Sequence, residues 1–215
     1  GRGFILDKNT IEVTGKEKQI IHADKIIIAT GSRPLKPPID GIDGDKVLDS
    51  DDVLSLDFCP DKVVIIGGGV IGVEFATIYN SLGKDVVIIE MMSNILPGID
   101  DEITQALRKS LEKKGIKIFT SSKVISIQSG DKAVCTFENN GKEQSVDGDI
   151  AIVAIGRKPN SENIGLENVK IDLERGFIKV NESMETSIKG IYAIGDVTGK
   201  VLLAHVASEQ GLVAA

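Results

Sequence analysis

The sequence has no tryptophan, and aromatic residues make up only 4% of it. That excludes the stacked aromatic platforms by which proteins hold single-stranded nucleic acid. No dense cluster of Lys or Arg is present, and the net charge is -7. Neither nucleic acid nor an anionic membrane surface is therefore an expected partner. The apolar runs are short, as in Val63–Ile66 and Val86–Ile89, far below the roughly 20 residues of a spanning helix. No secretory signal peptide opens the chain, so a cytoplasmic location is expected. The two cysteines, Cys59 and Cys135, lie far apart and outside any Cys-x-x-Cys pattern. They read as ordinary small hydrophobes of a reducing compartment. The only histidines are His22 and His205; His22 reads as a strand-edge residue, and neither is a candidate catalytic base. No metal site is expected.

Hydrophobic residues form 41% of the 215, enough to bury one large core or two modest ones. Three blocks emerge, 1–45, 46–165 and 166–215. The first holds the alternation Thr10–Val13, a second run over Lys18–His22, and the apolar run Lys25–Gly31, a buried strand entering a tight turn. Pro34, Pro37, Pro38, Gly41 and Gly44 then mark a stiff connection. In the second block, strands at Val63–Ile66, Val86–Glu90 and Ile116–Phe119 alternate with two helices. One helix runs from Val70 to Leu82 and stops at Gly83. The other starts at Asp100 or Asp101 and runs to Lys114, before Gly115. That order implies a parallel sheet with right-handed crossovers. A small antiparallel meander follows over 124–128, 133–138 and 143–146, and Ile150–Gly156 returns as a buried strand. The third block offers strands at 176–180 and 191–196 and a helical stretch, 203–215.

Gly67-Gly68-Gly69-Val70-Ile71-Gly72 fits G-x-G-x-x-G, with a strand before it, a helix after it and an acid at the end of the next strand. Gly67 permits the tight turn, Gly69 lets a pyrophosphate approach the backbone, and Gly72 lets the helix pack on the strand. The helix N-terminus offers free N–H groups to phosphate. Glu90 lies 18 residues past Gly72. A carboxylate there accepts from a ribose 2′-OH and repels a 2′-phosphate, and Met91-Met92-Ser93 brings no Arg to hold one. The expectation is NAD, not NADP.

Thr186-Ser187-Ile188-Lys189-Gly190-Ile191-Tyr192-Ala193-Ile194-Gly195-Asp196 resembles the second FAD fingerprint of the flavoprotein disulfide reductases, which bind two dinucleotides. The resemblance implies that Asp196 accepts from the ribityl chain of FAD. Ala29-Thr30-Gly31-Ser32 resembles the element where the chain leaves the FAD domain of that family. Ala154-Ile155-Gly156-Arg157-Lys158-Pro159-Asn160 resembles the element where it leaves the NAD domain. Leu203-Ala204-His205 with the residues to Gly211 resembles the helix start that faces the flavin, where His205 would act in positioning. The resemblance also implies that Val124 lies against adenine and that Ala154 to Arg157, including Gly156, line the nicotinamide side. Glu74 matches a Glu that pairs with a flavin-side Lys absent from this chain. Val70 stands where some relatives carry a gating Tyr. The implied fold class is α/β: a Rossmann-like NAD-binding domain over 46–165, flanked by 1–45 and 166–215 as segments of a split FAD-binding domain.

Within the family, Gly69–Glu74, Leu96–Ile103 and Leu203–His205 resemble the dihydrolipoyl dehydrogenase branch. That branch passes electrons from dihydrolipoamide through a cysteine pair and FAD to NAD+, and its partner is the lipoyl domain of a 2-oxoacid dehydrogenase complex. The family's Cys-x-x-x-x-Cys, its first FAD glycine motif and its His-x-x-x-x-Glu pair are not in this sequence. The chain is therefore expected to be a central portion of such an enzyme, inactive alone and catalytically unarmed, with apolar surface on its FAD-domain segments that favours a homo-oligomer. An NADH oxidase, a mercuric reductase or a stand-alone nucleotide-binding module would share many of these features.

Overall fold

The structure is a computed structural model and describes residues 1–215. The chain divides into two units, Gly1–Arg33 with Arg157–Ala215, and Pro34–Gly156. In the first unit, β1 (Arg2–Asp7), β2 (Thr10–Thr14) and β3 (Gln19–His22) form an antiparallel sheet. His22 lies on its exposed edge strand, with Nδ1 3.3 Å from the Thr10 hydroxyl. Next come β4 (Ile26–Ile28) and the short β5 (Ser32–Pro34).

The second unit is built on five parallel strands. These are β6 (Val47–Asp49), followed by the short helix α1 (Ser50–Val53); β7 (Lys62–Ile66), followed by α2 (Val70–Ser81); β8 (Asp85–Ile89), followed by α3 (Asp101–Lys113); β9 (Lys117–Phe119); and, later in the chain, the fifth strand, Ile150–Val153. Between the last two runs the meander β10 (Ser122–Ser129), β11 (Ala133–Asn139) and β12 (Lys142–Gly148), so that Ile150–Val153 is β13. The spatial order is β6-β13-β7-β8-β9.

Alternation of side chains across a strand explains why these strands are apolar throughout. Val63, Ile65, Val86, Ile88, Ile150 and Ile152 face Val73, Phe75, Ala76 and Tyr79 of α2 and Leu111 of α3. Val64, Ile66, Val87, Ile89, Ala151 and Val153 face Val124, Ile127, Cys135 and Phe137 of the meander. With both faces covered, neither parity can be polar. Asp49 caps α1 through a reciprocal box with Asp52, and Asp100 caps α3 by accepting from the N–H groups of Glu102 and Ile103, satisfying donors that a helix start leaves free.

The chain returns to the first unit as β14 (Arg157–Pro159), paired with β5, then α4 (Leu166–Val169), the hairpin β15 (Leu173–Glu174) and β16 (Phe177–Ile178), and β17 (Ile191–Ala193), parallel to β4. A 3-10 turn at Gly195–Thr198 and α5 (Ala204–Ala214) complete it. Ile26, Ile28, Ile178, Ile191, Ala193 and Val197 share its core. Ile20, Ile21, Ile27, Leu203, Leu212 and Val213 of the same unit are exposed. No helix is long and apolar enough to cross a membrane.

The two cysteines, expected as ordinary small hydrophobes, sit in different surroundings. Cys135 is fully buried, and burial pushes its thiol up to about 12, whereas Cys59 is exposed just ahead of β7. The strand expected over 176–180 is only Phe177–Ile178, because Gly176, at φ +87, closes the hairpin turn and Val180 lies beyond the paired residues.

Asp147 at the end of the meander bonds Lys62 at 2.7 Å and Lys132 at 3.0 Å. These two ammonium groups, Lys62 first, hold its carboxyl down at about 2. A depressed carboxylate contributes stability above its unfolded pKa of ~3.9 and loses it as pH falls through the folded value. Urea unfolding should therefore show D147N less stable than the unsubstituted chain at pH 6, with the gap closing between about pH 4 and pH 2. A gap independent of pH would contradict this account.

Candidate functional site

The register of the parallel sheet places Val153, Ile66, Ile89 and Phe119 in one row. The residues that follow them, Ala154, Gly67, Glu90 and Thr120, therefore emerge together at the carboxyl ends of the strands. β13 and β8 flank β7 on opposite sides, so the connection order reverses at this edge. Ligands of open α/β sheets bind at such a switch point.

Gly67 leaves β7 at φ +108, and a Cβ there would stand 2.5 Å from the Ala154 carbonyl oxygen. Ala154 itself is tied to the strand by its N–H bond to Ile66 O at 2.8 Å. A Cβ on Gly72 would run into the Gly67 carbonyl and crowd Ile65. Both glycines are thus demanded by backbone contact. Gly69 differs, since nothing lies within 4 Å of its Cβ position. Its openness faces outward, where a ligand would approach. None of the N–H groups of Gly69, Val70, Ile71 and Gly72 has an acceptor within the chain. Four converging donors at the positive end of a 12-residue helix form an anion cradle.

Glu90 is 7% exposed. One carboxylate oxygen accepts from Gly68 N–H at 2.5 Å and the other from Met92 N–H at 2.7 Å. Each oxygen keeps a further lone pair, so the group is oriented by the backbone yet free to accept from a diol. The Ser122 N–H donates to the Glu90 carbonyl, which brings the start of β10 beside the acid. Val124 is committed to the core between sheet and meander, so that only its backbone remains for a ligand. Glu74 is exposed on α2 and forms no ion pair, and Val70 is 57% exposed at the helix start. The chain's own residues thus fit a dinucleotide: donors for the pyrophosphate, a carboxylate for the ribose, and open space between.

In the first unit, β4 and β17 lie side by side. Ala29-Thr30-Gly31-Ser32 and Ile194-Gly195-Asp196 therefore leave the sheet together. The Ser32 hydroxyl donates to Asp196 Oδ2 at 2.6 Å and accepts from Arg157 Nε at 2.6 Å, and Arg157 Nη2 reaches Ser32 O at 3.0 Å. Arg157 Nε stands 3.9 Å from Asp196. Asn160 bonds the Thr30 and Gly31 carbonyls. Gly31, at φ +68, has open space at the Cβ position; Gly156, which ends the second unit, has the same at φ +138. Ala204 and His205 are exposed at the start of α5, which carries no side-chain cap. A polyol could exchange hydrogen bonds with this Asp–Ser–Arg cluster, and the helix start offers donors to an electron-rich ring; the residues fit a flavin nucleotide.

Sequence reasoning missed three groups here. Gln210 accepts from Gly195 N–H at 2.7 Å while buried. Met92 supplies an N–H to Glu90, and Leu96 donates to Gly68 O at 2.8 Å. Two of these are backbone bonds, which no residue type announces.

A family model described as pyridine nucleotide-disulphide oxidoreductase matches residues 2–211. A dihydrolipoyl dehydrogenase of Acholeplasma laidlawii is 42% identical over 218 residues, covering 100% of this chain and 62% of that protein. One from Thermus scotoductus is 44% identical, with 100% and 47% covered. Among solved structures, LpdA of Mycobacterium tuberculosis superposes with a TM-score of 0.90 at 32% identity, over 100% of this chain and 48% of that one. The HOCl-induced flavoprotein disulfide reductase RclA of Escherichia coli gives 0.90 at 29% identity, with the same coverage. The chain spans about half the length of most of these relatives. It belongs to the pyridine nucleotide-disulphide oxidoreductase family.

Proposed function

We propose that this chain supplies the NAD site and part of the FAD site of a dihydrolipoyl dehydrogenase. The observation that carries this reading is the buried Glu90 carboxylate beside four unpaired N–H groups at the turn Gly67–Gly72. The branch rests on relatives named dihydrolipoyl dehydrogenase at 37–44% identity. Flavin and nicotinamide, when bound, supply the two-electron chemistry.

The residues of the chain bind and orient. The N–H groups of Gly69 to Gly72 hold the pyrophosphate of NAD, and Glu90 accepts from the adenosine ribose. Ala154 and Gly156 close one side of the nicotinamide end, and the Val124 backbone borders adenine. Val70 leaves that end ungated. Asp196 holds the ribityl hydroxyls of FAD, with Ser32 and Arg157 fixing its carboxylate and Thr30 and Gly31 lining the approach. Ala204 and His205 present the start of α5 to the flavin. No cysteine pair suited to dithiol exchange is present, because Cys135 is buried and Cys59 stands apart from it in sequence. Reaction with dihydrolipoamide and docking of a lipoyl domain would fall to the complete enzyme, in the cytoplasm.

Calorimetric titration tests the reading. A hydrogen bond to a charged group contributes about 1.5–3 kcal/mol, so NADH should bind roughly tenfold or more tighter than NADPH, and FAD far more weakly or not at all. Glu90→Ala should remove most of that preference. NADPH binding as tightly as NADH would overturn the role of Glu90.

The exposed Ile20, Ile21, Ile27, Leu203, Leu212 and Val213 support self-association. Light scattering is expected to give a dimer or larger species; a monomer with residues 1–33 and 157–215 ordered would contradict it.

A further inference from the structure

Leu96 has a backbone conformation that its side chain does not favour. It stands at φ +53, in the left-handed region where glycine and asparagine are at ease and β-branched residues are not. Pro97 follows and disfavours the right-handed helical alternative. The segment from Asn94 to Ile99 is tied down at several points. Asn94 donates to the buried Thr104 hydroxyl at 2.7 Å and accepts from Ile95 N–H at 3.0 Å. Ile95 is 1% exposed within the core beneath α2, and Ile99 N–H bonds the Leu96 carbonyl. These ties leave the Leu96 N–H aimed at one acceptor, the carbonyl of Gly68, at 2.8 Å.

That bond reaches the nucleotide turn through the peptide plane. No peptide in the chain is cis, and in a trans peptide the C=O and the next N–H point in opposite directions. Fixing Gly68 C=O on Leu96 therefore directs Gly69 N–H away from the segment, toward the open side of the turn. The preceding peptide is fixed too, because Gly68 N–H is held by Glu90. The two ends of the cradle, the ribose acid and the first phosphate donor, thus meet at Gly68.

We propose that Leu96 is a positioning residue for the dinucleotide site, acting through its left-handed backbone and not through its side chain. The inference rests on the NAD reading above. It explains why a strained non-glycine residue persists at a place where the side chain is only partly buried.

Two roles predict opposite orders for one set of variants. If Leu96 served by packing, NADH affinity would fall in the order L96V, L96A, L96G, following side-chain size. If its conformation matters, L96G and L96N should stay within about threefold of the unsubstituted chain, L96A should be weaker than L96G, and L96V should be about tenfold weaker or worse. NADH fluorescence titration of the whole chain reads these values, with far-UV circular dichroism confirming folding. Should L96V fail to fold, L96A against L96G decides alone, since they differ by one methyl group. The size order, or four indistinguishable variants, overturns the proposal while leaving the NAD reading intact. Absence of NADH binding by the unsubstituted chain would instead remove the NAD reading, and the proposal with it.

Discussion

Both faces of the five-stranded parallel sheet are dry. Helices α2 and α3 cover one, and the meander covers the other, so that Val63 to Ile65 and Ile88 have no exposed surface at all. An unpaired polar group inside these layers would carry the full cost of its desolvation, about 1–3 kcal/mol. Polar chemistry is thereby confined to the ends of the strands. At the carboxyl ends the geometry concentrates it further, because β7, β8 and β13 finish in one row. Gly67, Glu90 and Ala154 are neighbours for that reason, although they are scattered along the chain. The Ala154 carbonyl then stands where a Cβ on Gly67 would project, so the turn out of β7 requires glycine.

The same logic operates on a smaller scale in the first unit. β4 and β17 are three-residue strands in parallel register, and their ends deliver Ser32 and Asp196 to one place. Arg157 completes the group from β14. Charge alone would leave this arginine 3.9 Å from the carboxylate; the Ser32 hydroxyl bridges them at 2.6 Å on each side. A short hydroxyl bridge restricts orientation more tightly than an ion pair at that distance, since hydrogen bonding weakens steeply with misalignment.

Much of this was readable in advance wherever a residue type answers to a local constraint. Gly67 and Gly72 could be assigned because only glycine tolerates those contacts, and the two long helices because Gly83 and Gly115 stop them. The strand Val47–Asp49 was not anticipated. It has three residues, follows a proline-rich connection and shows no period, and its membership of the sheet is decided by its partner β13, far along the chain. The glycine-rich, apolar ATG, IGR and IGD strings suggested a flavin site, yet their convergence on Ser32 depends on bonds across 125 and 164 residues. The buried Gln210 gave no signal either, since a lone glutamine on a helix ordinarily faces water. The missing information is tertiary in each case: it resides in which partner a group finds, and that is set by packing.

The unequal surroundings of the two thiols give the Pro34–Gly156 unit a built-in clock. Cys59 is open to solvent and free to react with an alkylating reagent at once. Cys135 lies in the layer between sheet and meander with its thiol pushed up to about 12, so it reacts only when that layer opens. The second equivalent of label therefore counts openings of the meander, and its rate under native conditions reports how often the layer covering that face of the sheet gives way.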